Sequence, residues 1–143
     1  MKSKILVALQ FLIIFLMLLS IGSQTEYLLV GVAFIAMAML VGFLAIAQHQ
    51  RGNFNIRPDI KEDCKLVITG IYRFIRHPMY LSVLLAMFGV ALIYATYYEY
   101  ILFLFLVITL IVKLLYEESL WKCHDEAYSE YMKKTYRFIP FLF

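Results

Sequence analysis

The chain has 143 residues, of which 64% are apolar and only 16% charged, with a formal net charge of +3. Soluble domains are roughly half apolar, so a chain of this size has no core large enough for its surplus of Phe, Leu and Ile, and the excess must face lipid or a partner. No basic run is set among polar residues, which excludes nucleic-acid binding, and Cys64 and Cys123 match neither a metal-ligand spacing nor a secreted disulfide framework.

The first apolar stretch covers about 5–21, behind Lys2 and Lys4. It has the layout of a signal peptide but is long for one, and no small-x-small cleavage site follows it, so a retained helix is expected. The second stretch covers about 27–47, the third about 79–97 and the fourth about 100–115. A bilayer core takes about 20 apolar residues in a helix, and the first three stretches contain no Asp, Glu, Lys or Arg. The expectation is an all-α membrane protein with about four transmembrane helices. It forms a single integral domain over 1–143, with a cytoplasmic connector at 48–78 and a cytoplasmic C-terminal amphipathic helix and tail at 116–143.

The connections differ in charge. Segments 22–26 and 97–100 are short and hold no Lys or Arg, whereas 48–78 holds Arg51, Arg57, Lys61, Lys65, Arg73 and Arg76. The tail holds Lys122, Lys133, Lys134 and Arg137, with Lys113 at its mouth. With four spans, all 13 Lys and Arg fall on one side, which the positive-inside rule makes cytoplasmic together with both termini. Tyr27, Tyr94, Tyr97, Tyr98 and Tyr100 gather at the opposite face, where an aromatic belt belongs. The polar chemistry then collects where the connector and the tail meet the inner ends of the third and fourth spans.

Two patches lie there. In Arg76-His77-Pro78-Met79-Tyr80, Pro78 lacks an N–H and suits the first turn of a helix. Arg76 and His77 then stand at a helix N-terminus, a place that attracts anions, so a carboxylate-bearing ligand fits. The plainer reading, which the residues alone favour, is a charged anchor and a helix start with Tyr80 as an interface aromatic. In the second patch, Lys113 and Glu117 share a face if the helix continues, and that face runs on through Trp121, His124, Tyr128 and Tyr131. An aromatic face with an acid at its top suits a flat cationic ligand. An amphipathic helix lying on the inner leaflet accounts for the same pattern.

Taken together and in order, Gly70-Ile71-Tyr72, Arg76-His77-Pro78-Met79-Tyr80, Glu117-Glu118, Leu120, Tyr128-Ser129-Glu130-Tyr131 and Ile139-Pro140 resemble the isoprenylcysteine carboxyl methyltransferase family and its bacterial relatives, which include phospholipid methyltransferases. The resemblance covers about 53–143. It implies S-adenosylmethionine as methyl donor, bound by Lys65, Leu66, Val67, Tyr72, His77, Pro78, Met79, Tyr80 and Glu117. An ungapped match sets Tyr116 and Glu117 against the family's acidic pair, and a one-residue gap sets Glu117 and Glu118 there; Glu117 is functional in either. The basic residue facing the acceptor is usually Arg, and here Lys113 holds its place. The catalytic set is then Arg76, Lys113 and Glu117, with no metal.

Methyl transfer from a sulfonium is an in-line displacement that chiefly requires the reacting atoms to be held about 3–3.5 Å apart in a dry site. A carboxylate acceptor is already ionised and needs no general base, whereas an amine needs one. A lipid or lipidated carboxylate is therefore the expected acceptor, oriented by Arg76 or Lys113 in a multi-pass protein of a bacterial or archaeal inner membrane. A phospholipid amine is the alternative acceptor. A small four-span transporter or a structural membrane protein is the alternative outside enzymology. Transporters usually carry an ionisable group inside a span, and the first three stretches have none.

Overall fold

The computed structural model describes residues 2–20, 27–48 and 66–138. Lys65, most of the connector, and Ile139-Pro140 lie outside the described residues. The expected all-α class is what forms. The helices are α1 (Lys2–Leu18), α2 (Leu28–Ala47), α3 (Pro78–Tyr94), α4 (Tyr97–His124) and α5 (Ala127–Lys134), with a 3-10 turn at Gly70–Arg73 ahead of α3. Among the described residues β pairing is confined to one isolated parallel bridge, Ile75 with Tyr136.

Helix α2 is apolar on every side, and α1 is nearly so beyond Lys4; a helix of that kind belongs inside a large core or in lipid. A core is not what covers α2, because Leu29 is 82% exposed and Phe43 70% exposed. The outward surface is therefore that of a membrane protein. Helices α2 and α4 are each long and apolar enough to cross a bilayer, and α3 is apolar but shorter.

Segment 97–100, expected as a linker, is instead the first turn of α4. The reason is local. Ala95 adopts a left-handed conformation (φ 48°) that ends α3. Thr96 then caps α4 by accepting a hydrogen bond from the Glu99 N–H at 3.3 Å. Thr96-Tyr97-Tyr98-Glu99 has the spacing of a capping box, but the buried Glu99 carboxylate accepts from the Ser20 hydroxyl, tying the end of α1 to the start of α4. The linker thus shrinks to Ala95 and Thr96.

The helix of the fourth stretch continues beyond position 115. Glu117, Glu118 and Lys122 end the apolar pattern without ending the helix, so α4 runs for 28 residues, about 42 Å against a bilayer core of about 30 Å. Asp125, in an extended conformation, ends it, and its Oδ1 accepts from the Ala127 N–H at 2.9 Å to start α5. The C-terminal helix and tail expected over 116–143 are, as far as residue 138, the last turns of α4, a corner, the eight-residue α5, and an extended stretch at 135–138.

Helix α2 packs chiefly on α3, while α1 packs on α4 and also touches α3. The α2–α3 contact depends on glycine: a Cβ on Gly31 would lie 2.6 Å from the Gly89 carbonyl oxygen, and one on Gly89 would lie 2.6 Å from the Gly31 oxygen. The core sits between α1, α3 and α4, from Ile13 and Met17 of α1, Met87 and Ala91 of α3, and Leu106 and Leu110 of α4. One end of this core, toward the α3 N-terminus, is polar.

Candidate functional site

The polar end is built by three segments meeting. The residues just before α3 lie alongside the extended stretch that follows α5. Tyr136 N–H donates to the Phe74 carbonyl (3.0 Å), Arg76 N–H to the Tyr136 carbonyl (2.7 Å), and His77 N–H to the Arg137 carbonyl (3.1 Å). The third segment is the last part of α4. Pro78 occupies the first turn of α3, as its missing N–H and fixed φ favour.

Arg76 and His77 do meet a carboxylate, but it is the chain's own Glu118. Arg76 Nε donates to Glu118 Oε1 at 2.9 Å, and His77 Nε2 lies 3.3 Å from the same oxygen. Arg137 NH2 and Nε donate to Glu118 Oε2 at 3.1 and 3.2 Å. The second face of the Arg76 guanidinium holds the tail, donating from NH1 to the Met132 carbonyl at 3.1 Å and to the Thr135 carbonyl. Burial pushes the Glu118 carboxyl up, but the hydrogen bonds from His77, Arg137 and Arg76 outweigh it and hold the group at about 2.

Glu117, one residue earlier, has a different environment. Its Oε2 accepts from the Tyr80 hydroxyl at 2.6 Å, and among the described residues that is its one hydrogen bond. Tyrosines stand round this acid. Burial first, then Glu117, raises the Tyr72 phenol well above its ordinary value, and burial followed by Glu118 and Glu117 raises Tyr128. Both phenols therefore stay protonated as donors at any physiological pH. Tyr131 donates its hydroxyl to the Tyr72 carbonyl at 2.6 Å. The aromatic face expected along one helix survives the corner at Asp125: Trp121 stacks on Tyr128 with centroids 5.8 Å apart, and Tyr128 meets Tyr131 at 5.8 Å. His124 turns its ring edge to Trp121 and takes no part in the acid clusters.

Of the residues singled out in the sequence, the fold brings Tyr72, Arg76, His77, Pro78, Tyr80 and Glu117 to one end of the bundle. Leu66 and Val67 are half-buried ahead of the 3-10 turn, and Met79 is half-buried in the first turn of α3. His77 lies parallel to the Tyr80 ring at 5.3 Å. Lys113 is placed deeper than the mouth of a span. It is 1% exposed, and its ammonium sits 4.9 Å above the Tyr80 ring and donates to Gln10 Oε1 of α1 at 2.8 Å.

Reading the sequence missed Arg137 and Gln10. Arg137 offered no signal beyond its charge, because its pairing depends on the chain turning back after α5. Gln10 did offer one: within its apolar stretch it is the lone amide side chain, and a polar residue in such a helix turns toward another helix.

A profile of the phospholipid methyltransferase family matches residues 26–129. No curated protein matches the chain at a meaningful level. The matched segment takes in α2, α3, α4 and the start of α5 but not α1.

Proposed function

The chain belongs to the phospholipid methyltransferase family, and on that premise we propose that it transfers a methyl group from S-adenosylmethionine to a lipophilic acceptor drawn from the bilayer, with a carboxylate as the reacting group. The observation that carries the reading is the contrast between the two neighbouring acids. Glu118 is saturated by three basic side chains, while Glu117 keeps an oxygen for a cationic ligand beside tyrosine hydroxyls and ring faces. An ammonium and a sulfonium on one ligand fit such a wall by hydrogen bond and by cation–π contact.

Bound there, S-adenosylmethionine supplies an activated methyl group. The chain's residues do the rest. Glu117 accepts from the amino end of the cofactor, and Tyr72, His77, Pro78, Met79 and Tyr80 form the facing wall, with Leu66 and Val67 at its edge. Lys65 belongs to the same wall by its position in the sequence. Lys113 presents its ammonium to the anionic end of the acceptor. Arg76 acts at one remove, fixing Glu118 and the tail that close the site against water. With a carboxylate acceptor, one oxygen forms the new C–O bond as the C–S bond breaks, and no proton has to be moved.

A phospholipid amine is the second reading, favoured by the family's own description; it needs a base to take the amine proton, and Glu117 is the nearest candidate. Calorimetric titration with S-adenosylhomocysteine in detergent tests the donor, with saturable binding expected. Labelled donor then separates the acceptors: label should enter S-farnesyl-N-acetylcysteine as a base-labile ester. Label in phosphatidylethanolamine instead makes the amine the acceptor, and no homocysteine-ligand binding overturns the methyltransferase reading.

The membrane arrangement proposed with it keeps α1, α2, α3 and most of α4 as four spans, with both termini and the site on the cytoplasmic side. Its support is that 12 of the 13 Lys and Arg then share one face, Lys113 lying buried within the bundle near that end. A reporter active only outside the cytoplasm, fused after Phe143, is expected to stay silent. Strong activity there would remove the four-span arrangement.

A further inference from the structure

Lys113 is a charged side chain buried in the bundle. A buried ammonium is unfavourable unless it is paired, and Lys113 is 1% exposed, among Leu110, Leu114 and the core of α1, α3 and α4. An ammonium has three donors. Among the described residues its one hydrogen-bond partner is the neutral amide oxygen of Gln10, 2.8 Å away, with the Tyr80 ring below it at 4.9 Å. Gln10 is itself 6% exposed. It lies ten residues before Ser20, which is tied to Glu99 at the other end of the bundle. At 1.5 Å per residue that is about 15 Å, half the thickness of a bilayer core. Lysines in membrane helices ordinarily extend toward the interface; this one, well inside α4, is drawn inward toward α1.

We propose that Gln10 is a positioning residue: it holds the Lys113 ammonium inside the bundle, over Tyr80, with two donors left for an anionic oxygen of the acceptor. The inference rests on the reading that the acceptor side of the site lies at Lys113. It assigns a part in the site to α1, which lies outside the segment matched by the family profile. A neutral amide suits this task because it orients the ammonium without neutralising it, whereas a carboxylate at the same place would take the charge the acceptor needs. Anionic oxygen is supplied equally by a lipid carboxylate or by a phospholipid phosphate, and the two are separated by the choice of probe.

The test uses the full chain in nanodiscs, with Gln10→Leu removing the acceptor oxygen and Gln10→Glu keeping an oxygen but adding charge. The probes are S-farnesyl-N-acetylcysteine and phosphatidylethanolamine. Both variants are expected to raise KM for whichever probe is methylated by tenfold or more, while Kd for S-adenosylhomocysteine stays within twofold. If Gln10 only filled and solvated the bundle, Gln10→Glu would behave as wild type, and that result overturns the proposal. An independent readout is the ¹⁵Nζ resonance of Lys113, assigned by its loss in Lys113→Met. It should shift when a probe lipid is added to wild type and not when added to Gln10→Glu. No shift with either lipid in wild type also overturns it. A lipid-dependent shift in a chain that binds no S-adenosylhomocysteine would leave the Gln10–Lys113 site standing and remove the methyltransferase reading instead.

Discussion

Glu118→Gln is expected to lower the melting temperature in detergent by roughly 10 °C, the largest stability change of any single substitution at this end of the bundle. The carboxylate is 2% exposed and faces Arg76, His77 and Arg137. Removing one partner of a buried ion cluster leaves uncompensated charge and costs about 3–5 kcal/mol, and in a chain of this size each kcal/mol moves the midpoint by about 2–4 °C. The damage should be local at first. Arg76 also holds the carbonyls of Met132 and Thr135, so the tail loosens when Arg76 loses its anchor, and limited proteolysis should cut there earlier than in wild type. A midpoint within 2 °C of wild type would show the cluster to be dispensable.

The same acid sets a pH dependence whose sign follows from its shift. Its folded value of about 2 lies below the ordinary glutamate value of about 4.3. A depressed carboxylate contributes its full stabilisation above the unfolded value. That stabilisation is lost as pH falls from about 4.3 through about 2, amounting to about 3 kcal/mol. Thermal scans should therefore show wild type losing stability across that interval and Glu118→Gln losing much less.

Glu117→Gln should do the opposite: leave the fold nearly unchanged and weaken binding of S-adenosylhomocysteine by about ten- to a hundredfold. Its one hydrogen-bond donor among the described residues, the Tyr80 hydroxyl, is still accepted by an amide oxygen, so stability is kept. What is lost is a charge-assisted hydrogen bond to the ligand's ammonium, worth about 1.5–3 kcal/mol. Calorimetry on the two variants, below the melting point of each, separates the roles. Wild-type affinity in Glu117→Gln with weakened binding in Glu118→Gln would move the ligand acid one residue along α4.

The sequence by itself determined the class of the protein and the end of it that carries chemistry. Apolar stretches free of charge over 5–21, 27–47 and 79–97 demand helices that face lipid, since only an internally bonded backbone is tolerated there. The ordered motifs from Gly70 to Tyr131 carried the resemblance, and the family profile matches most of that stretch. Local chemistry also fixed the α3 start at Pro78. The α3–α4 corner was set later by the apolar pattern than the structure places it, because the cap at Thr96 starts α4 at Tyr97.

Tertiary structure decided which partner each charge takes. Arg76 and His77 read as a place for a ligand's carboxylate. They receive Glu118, 41 or more positions away, because the tail doubles back beside 74–77 and brings Arg137 to the same acid. Glu117 and Glu118 are adjacent and indistinguishable by composition. On a helix, adjacent side chains point about 100° apart, so one turns into the basic cluster and the other toward Tyr80. The depth of Lys113 was likewise undetermined, since a lysine at a span's end normally reaches outward. It points inward because α1 packs against α4 and sets Gln10 across from it, 103 positions away in the chain, a contact that no local pattern encodes.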